Sequence, residues 1–282
     1  MTLLDEIRRT RHLIWHRRPH QADTLVLQAS ELSMYYENAL ALKEISFELK
    51  VGERMAVVGP NGAGKSTLFK IIAGVLIPTE GQVHIYGLEP GGHICIAYLP
   101  QRSQVDWDFP VNVADVVMMG RIGKLRLFRH PQIKDWNIVQ KALEVVGLSE
   151  FSKRQIGELS GGQQQKMFIA RALAQEAELM LMDEPLSGLD VTSQDEIFSI
   201  LDELQQRNVT VMVALHDLNL ASRHFDRVML LNHHLFGVGK PAEVFTPEKL
   251  VGAFGGHIHF VSDGEEVLAV SDTCCNDMER HP

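Results

Sequence analysis

The amino-acid sequence predicts an α/β fold with a parallel sheet, an antiparallel β subdomain and a helical insertion. An apolar run at 55–58 leads into a glycine-rich loop, Gly59–Thr67, and a helical segment follows at 68–73. Further along the chain, short apolar runs alternate with segments of helical periodicity, which is typical of a parallel sheet. Strand character disappears between residues 102 and 175 and then returns, which indicates a helical insertion within one α/β domain.

The remaining elements are predicted from the same periodicities, in chain order. The strands are expected at 25–27, 32–36, 42–49, 82–86, 95–99, 179–182, 209–215 and 228–231. The helices are expected at 111–119, 137–146, 163–173 and 193–204. The runs before residue 50 are β-type only, so they predict the antiparallel subdomain.

Composition narrows the function classes. The chain has 282 residues and a net charge of −9, which argues against a general nucleic-acid binder. No apolar run is long enough to span a membrane, and the N-terminus lacks the apolar core of a secretory signal. Three cysteines make no disulfide framework. These features favour a reducing, cytoplasmic setting.

The loop after the first buried strand has the spacing G-x-x-x-x-G-K-[ST] of a phosphate-binding loop. Gly59, Gly62 and Gly64 permit close approach of the backbone to a ligand. The helix that starts near Lys65 presents its positive end to phosphate. Lys65 adds a charge for the outer phosphates, and the Ser66 hydroxyl suits Mg²⁺. A plain glycine-rich turn is the alternative.

Polar residues follow three other predicted strands: Gln101, Asp183 with Glu184, and His216. Because ligands bind at the carboxyl ends of parallel strands, these residues are expected to meet at one nucleotide. Asp183 suits Mg²⁺, and Glu184 suits a general base for an attacking water. His216 either contacts the γ-phosphate or orients water; the alternative for a lone histidine is a structural role.

The segment Leu159–Gln163, LSGGQ, forms a second candidate anion site at the start of a predicted helix. Ser160 is a good N-cap, and Gly161 and Gly162 leave backbone N–H groups exposed. One nucleotide can contact both the helix that starts near Lys65 and the helix that starts at LSGGQ only if the two N-termini face each other. A head-to-tail pair of identical subunits provides that arrangement.

These motifs occur in the order found in ATP-binding cassette (ABC) ATPases, which the chain resembles over roughly residues 25–245. The resemblance implies the ABC ATPase fold, with a P-loop NTPase (RecA-like) core, and ATP and Mg²⁺ as ligands. It assigns nucleotide binding to the Walker A loop residues Gly59, Pro60, Asn61, Gly62, Ala63, Gly64, Lys65, Ser66 and Thr67. It places Tyr36 on the adenine, with the neighbouring Tyr35 as the alternative.

The same resemblance implies roles for the other motifs. Glu184 is the catalytic glutamate and acts with Lys65 and His216, while Asp183, Gln101 and Ser66 hold Mg²⁺. The signature motif residues Ser160, Gly161, Gly162 and Gln163 are implied to act in trans across a homodimer. Asp190 resembles the D-loop aspartate that links the two sites.

A finer resemblance lies in the segments 100–110 and 115–121, which are similar to those of manganese, zinc and iron(-chelate) uptake ATPases. It implies an importer subunit for manganese or zinc, ahead of iron or an iron chelate, at the cytoplasmic face of the cell membrane. Its implied partners are membrane permease subunits and, indirectly, an extracytoplasmic solute-binding protein. The alternative for Trp107 and Phe109 is local packing.

We divide the chain into a basic extension at 1–23, an ABC ATPase domain at 24–245 with its helical subdomain at about 102–175, and a tail at 246–282. The extension is either a helix on a membrane surface or a solvated terminus. Histidines and cysteines of the tail lack the spacing of a zinc site. The rival functions are a transporter of another type, a soluble ABC ATPase, and a P-loop kinase or GTPase-like switch, which has no use for LSGGQ.

Overall fold

The computed structural model describes residues 25–37, 39–90, 95–101, 103, 105–125, 130–255, 258–263 and 266–271. The basic extension at 1–23 lies outside the described residues, as does the end of the tail with Cys274, Cys275 and His281. No helix in the described ranges is both long and apolar enough to cross a membrane.

A six-stranded sheet forms the centre of the fold. Its strands are β3 (Arg54–Val58), β5 (Ile96–Leu99), β6 (Leu179–Asp183), β7 (Thr210–Leu215), β8 (Arg227–Asn232) and β9 (His234–Gly239). Their order is β5-β6-β7-β3-β8-β9, and only β9 runs antiparallel to its neighbour. Every residue of β6 and β7 is buried, because both faces of the sheet are covered. The predicted parallel sheet is confirmed.

A second, antiparallel sheet has the order β2-β1-β4, formed by β1 (Leu25–Tyr36), β2 (Ala39–Lys50) and β4 (Glu80–Ile85). The sequence predicted two separate strands where β1 is continuous. The pairing register shifts between Ala29 and Leu32, and Glu31 there has a φ of 51°. This bulge interrupts the alternation of apolar residues without ending the strand.

The helices are α1 (Lys65–Ile72), α2 (Val113–Met119), α3 (Ile133–Val145), α4 (Gly161–Ala174), α5 (Val191–Gln206), α6 (Leu218–His224), α7 (Pro241–Val244) and α8 (Pro247–Phe254). Helices α2, α3 and α4 lie between β5 and β6, where the helical insertion was predicted. Two strands, β10 (Ile258–Asp263) and β11 (Glu266–Ser271), pair as a separate hairpin.

The apolar side chains form two clusters, one on each face of the central sheet. One cluster joins the sheet to the helical insertion and to α5. The other fills the space between the sheet, α1 and the antiparallel sheet. Helix α8 buries Leu250 and Ala253 in the first cluster, although it begins the segment that we assigned to the tail.

Candidate active site

Four neighbouring parallel strands, β5, β6, β7 and β3, end at the same edge of the central sheet. Glu184 and His216 follow directly after β6 and β7, Gln101 lies two residues after the end of β5, and the phosphate loop follows β3. The structure therefore brings the predicted site residues of all four strands to one place.

Close packing against neighbouring backbone fixes the path of the phosphate loop. A Cβ on Gly59 would lie 1.9 Å from the carbonyl oxygen of Leu231. A Cβ on Gly64, which has a φ of +95°, would lie 2.5 Å from the carbonyl oxygen of Ala41. Only glycine fits at these two positions, so the loop keeps its backbone N–H groups together at the start of α1.

Lys65 is the first residue of α1, and its side chain is only 4% exposed. Its ammonium donates to the carbonyl oxygens of Gly59 at 2.7 Å and Pro60 at 3.0 Å. Burial lowers the pKa of Lys65, although the neighbouring Glu184 and Asp183 oppose this shift. These contacts fix the Lys65 Nζ atom inside the loop, 4.0 Å from Glu184 Oε1.

Glu184 is held on both carboxylate oxygens. His216 Nε2 lies 2.5 Å from Oε1, and the Gln101 amide donates to Oε2. Burial alone would raise the pKa of Glu184, but the hydrogen bond from His216, together with the charge of Lys65 and the bond from Gln101, holds it below its usual range. The backbone has a φ of 52°, an unusual conformation for a residue other than glycine. An oriented, charged carboxylate of this kind suits a general base.

Asp183, at the end of β6, lies in a different environment. Its Oδ2 accepts a hydrogen bond from the Tyr98 hydroxyl at 3.2 Å, and the Ser66 hydroxyl also donates a hydrogen bond to the carboxylate. Its Oδ1 is buried and has no hydrogen-bond partner among the described residues. Burial raises the pKa of Asp183 despite these bonds. An unpaired carboxylate oxygen beside a serine hydroxyl matches the oxygen ligands that Mg²⁺ prefers.

A cleft of about 310 Å³ lies over the phosphate loop. It is lined by residues 62–67 and Glu184, and by Tyr36, whose side chain is 44% exposed and whose hydroxyl lies 3.5 Å from Thr67 Oγ1. Tyr35, the alternative aromatic, does not line this cleft. A smaller hollow of about 180 Å³ extends from Glu184 and His216 to Gln194 of α5.

Sequence reasoning missed three contributions to this site. The Tyr98 hydroxyl donates a hydrogen bond to Asp183. The sequence offered one signal for this contact, a polar hydroxyl within the otherwise apolar strand β5. Residues 39–41 of β2 line the cleft, and so does His233 after β8. Neither of these two shows a signal in the sequence, because both reach the cleft only through the arrangement of strands.

The LSGGQ segment begins α4 and does not line either hollow of the described structure. Ser160 Oγ accepts from the Gln163 amide N–H at 3.3 Å, and Gln163 Oε1 accepts from the Ser160 N–H at 3.0 Å. This reciprocal cap fixes the helix start. Asp190 caps α5 by accepting from the backbone N–H of Ser193 at 2.9 Å and from the Ser193 hydroxyl at 3.1 Å. The two helix starts abut, because a Cβ on Gly162 would lie 2.7 Å from Ser193 Oγ.

Comparison with known families agrees with this geometry. The model of the ABC transporter family matches residues 42–187, more than half of the chain. The chain belongs to this family, whose ATPase domain carries out ATP hydrolysis coupled to transport.

Two relatives are similar over most of their length. The manganese transport system ATP-binding protein of Halalkalibacterium halodurans is 46% identical over 248 residues, which cover 87% of this chain and 98% of that protein. The zinc transport system ATP-binding protein of Treponema pallidum is 42% identical over 238 residues, which cover 84% of this chain and 90% of that protein.

Solved structures confirm the predicted ABC ATPase fold. A chain from an inward-facing ABC transporter described as metal-chelate type has a TM-score of 0.75 and 32% identity, covering 87% of this chain and 96% of that chain. A dimeric ATP-binding cassette in a post-hydrolysis state, bound to ADP and phosphate, has a TM-score of 0.67 and 27% identity, covering 76% of this chain and 98% of that chain.

Proposed function

We propose that this chain is the ATP-hydrolysing subunit of an ABC importer for divalent metal ions, manganese or zinc. The observation that carries the proposal is the convergence of Lys65, Glu184 and His216 beside the phosphate loop. Lys65 and Glu184 line the cleft, and His216 contacts Glu184 from the adjoining hollow. The manganese and zinc systems named in the two relatives support the metal assignment.

The proposed chemistry follows from the charges at the cleft. Glu184, kept ionised by its low pKa, accepts a proton from the water that attacks the γ-phosphate. Lys65 stabilises negative charge on the transferred phosphoryl group. His216, hydrogen-bonded to Glu184 Oε1, orients that carboxylate.

Asp183, Ser66 and Gln101 are the residues that we assign to Mg²⁺. The unpaired Oδ1 of Asp183 is the strongest support, because a buried carboxylate oxygen without a partner is costly unless a cation binds it. When bound, Mg²⁺ neutralises charge on the β- and γ-phosphates.

The site is completed by a second copy of the chain in this proposal. Ser160, Gly161, Gly162 and Gln163 stand outside the cleft of their own subunit, so they are assigned to the nucleotide of the partner subunit. The dimeric related cassette supports this arrangement. Asp190 then lies at the junction of the two sites, and Tyr36 is assigned to stacking on adenine.

The proposed setting is the cytoplasmic face of the cell membrane. Permease subunits bind the cassette through the helical insertion near Gln101, and the extracytoplasmic solute-binding protein acts only through them. Gln101 supports this coupling role because its amide contacts Glu184 directly. The domain division proposed from the sequence, with its basic extension and tail, is kept.

The test is transport in proteoliposomes that contain the chain with its permease. Uptake of Mn²⁺, Zn²⁺ and Fe²⁺ is measured for the wild type, for Glu184→Gln and for Glu203→Gln, a control on the exposed face of α5. ATP-driven uptake of Mn²⁺ or Zn²⁺ that only Glu184→Gln abolishes supports the proposal. ATP hydrolysis without movement of any of the three ions refutes the metal assignment.

A further inference from the structure

The turn between β8 and β9 is joined to the phosphate loop by His233. The backbone N–H of His233 donates to the carbonyl oxygen of Ala63 at 2.9 Å, and its carbonyl oxygen accepts from the Lys43 N–H at 2.8 Å. Its ring Nδ1 lies 3.1 Å from the carbonyl oxygen of Ala41. One residue therefore connects this turn to β2 and to the phosphate loop.

The side chain of His233 has a defined orientation. A carbonyl oxygen only accepts hydrogen bonds, so Nδ1 carries the proton that bonds Ala41. In the neutral ring, Nε2 is then an acceptor. His233 also lines the cleft together with Tyr36 and residues 62–67.

The backbone of His233 supports a role beyond packing. Its φ is 54°, in the left-handed region that only a few per cent of residues other than glycine adopt. An observed outlier of this kind beside a ligand cleft favours a functional interpretation.

We propose that His233 is a nucleotide-binding residue that contacts the nucleoside part of ATP. Phosphate oxygens are acceptors, so an accepting Nε2 does not pair with them. A ribose hydroxyl or the amino group of the base is a donor and does pair with it. The inference rests on the proposed function, because it concerns the same cleft.

The test compares ATP with inorganic triphosphate, which lacks the nucleoside. Dissociation constants for both ligands are measured for the wild type, His233→Ala, His233→Gly and His234→Ala. His233→Gly relieves the backbone conformation while it removes the ring. His234 is exposed at the start of β9 and serves as the matched control.

We expect both His233 variants to bind ATP about fivefold more weakly, with unchanged affinity for triphosphate, because one hydrogen bond is lost. The Michaelis constant for ATP rises by the same factor while kcat stays constant. Equal weakening for both ligands, wild-type affinity for ATP, or recovery of ATP affinity in His233→Gly overturns the inference. A wild type that binds ATP without hydrolysing it refutes the proposed function instead and leaves this comparison valid.

Discussion

Replacement of Arg121 by methionine is predicted to destabilise the helical insertion severely. Arg121 follows α2 and is only 6% exposed. Its Nε lies 3.4 Å from Asp135 Oδ1 at the start of α3, and its Nη1 donates at 2.8 Å to the carbonyl oxygen of Ala174 at the end of α4. One guanidinium thus links all three helices of the insertion.

The magnitude follows from what the substitution leaves behind. Asp135 is only 1% exposed, so it would remain as a buried carboxylate without its cation. The Ala174 carbonyl would lose a hydrogen bond. Arg121 Nη1 also lies 2.8 Å from Glu176 Oε2, but the Glu176 side chain is 52% exposed and can be solvated by water instead. Breaking a buried pair from one side costs about 3–5 kcal/mol, which for a chain of this size lowers the melting temperature by roughly 10 °C.

The assay is urea unfolding followed by circular dichroism, with Arg207→Met as the control. Arg207 pairs with Glu203 on the protein surface, and a surface ion pair of this kind contributes less than about 1 kcal/mol to the free energy of unfolding. The double substitution Arg121→Met with Asp135→Leu is expected to recover part of the loss, because no buried charge then remains unpaired. A loss below about 1 kcal/mol for Arg121→Met would refute the reasoning.

Predictions for three further substitutions concern the site. Gly162→Ala places a Cβ 2.7 Å from Ser193 Oγ, so the ATPase kcat is expected to fall about tenfold, and an unchanged kcat would contradict the close packing. Gln101→Leu removes one of the bonds that lower the pKa of Glu184 while burial remains, so the acidic limb of the pH–kcat profile should move to higher pH; a shift to lower pH would be contrary evidence. Asp183→Asn is expected to weaken the binding of Mn²⁺ more than about tenfold, as measured by EPR in the presence of ATP. Because the pKa of Asp183 is raised above its ordinary 3.8, its charge destabilises the fold at neutral pH, so the same variant should melt higher without ligands; a lower melting temperature would argue against that charge.

The meeting of Gln101, Glu184 and His216 was predictable from the sequence. Each follows a short apolar run, and parallel strands end at a common edge whatever their order in the sheet. The close approach of backbone at Gly59 and Gly64 was equally predictable, because the spacing of the phosphate-binding loop places glycine at these positions. Local patterns therefore identified the residues that depend on strand ends and on one loop.

Other contributions depend on the order of strands, which the sequence pattern does not determine. β8 lies beside β3, and this brings Leu231 and His233 against the phosphate loop. Tyr98 meets Asp183 because β5 and β6 are neighbours. These contacts join residues that are far apart in the chain, and no periodicity along one segment encodes them.

The adjacent residues Asp183 and Glu184 show how the fold gives two carboxylates different environments. Burial opposes the charged form of both. For Glu184, partners on both oxygens outweigh burial and its pKa falls, so its charge is satisfied within the chain. For Asp183, burial prevails and one oxygen has no partner within the described residues, so its charge still requires a cation. In the proposed mechanism, Glu184 thus serves as the base and Asp183 offers an oxygen to Mg²⁺, which is the division that phosphoryl transfer to water requires.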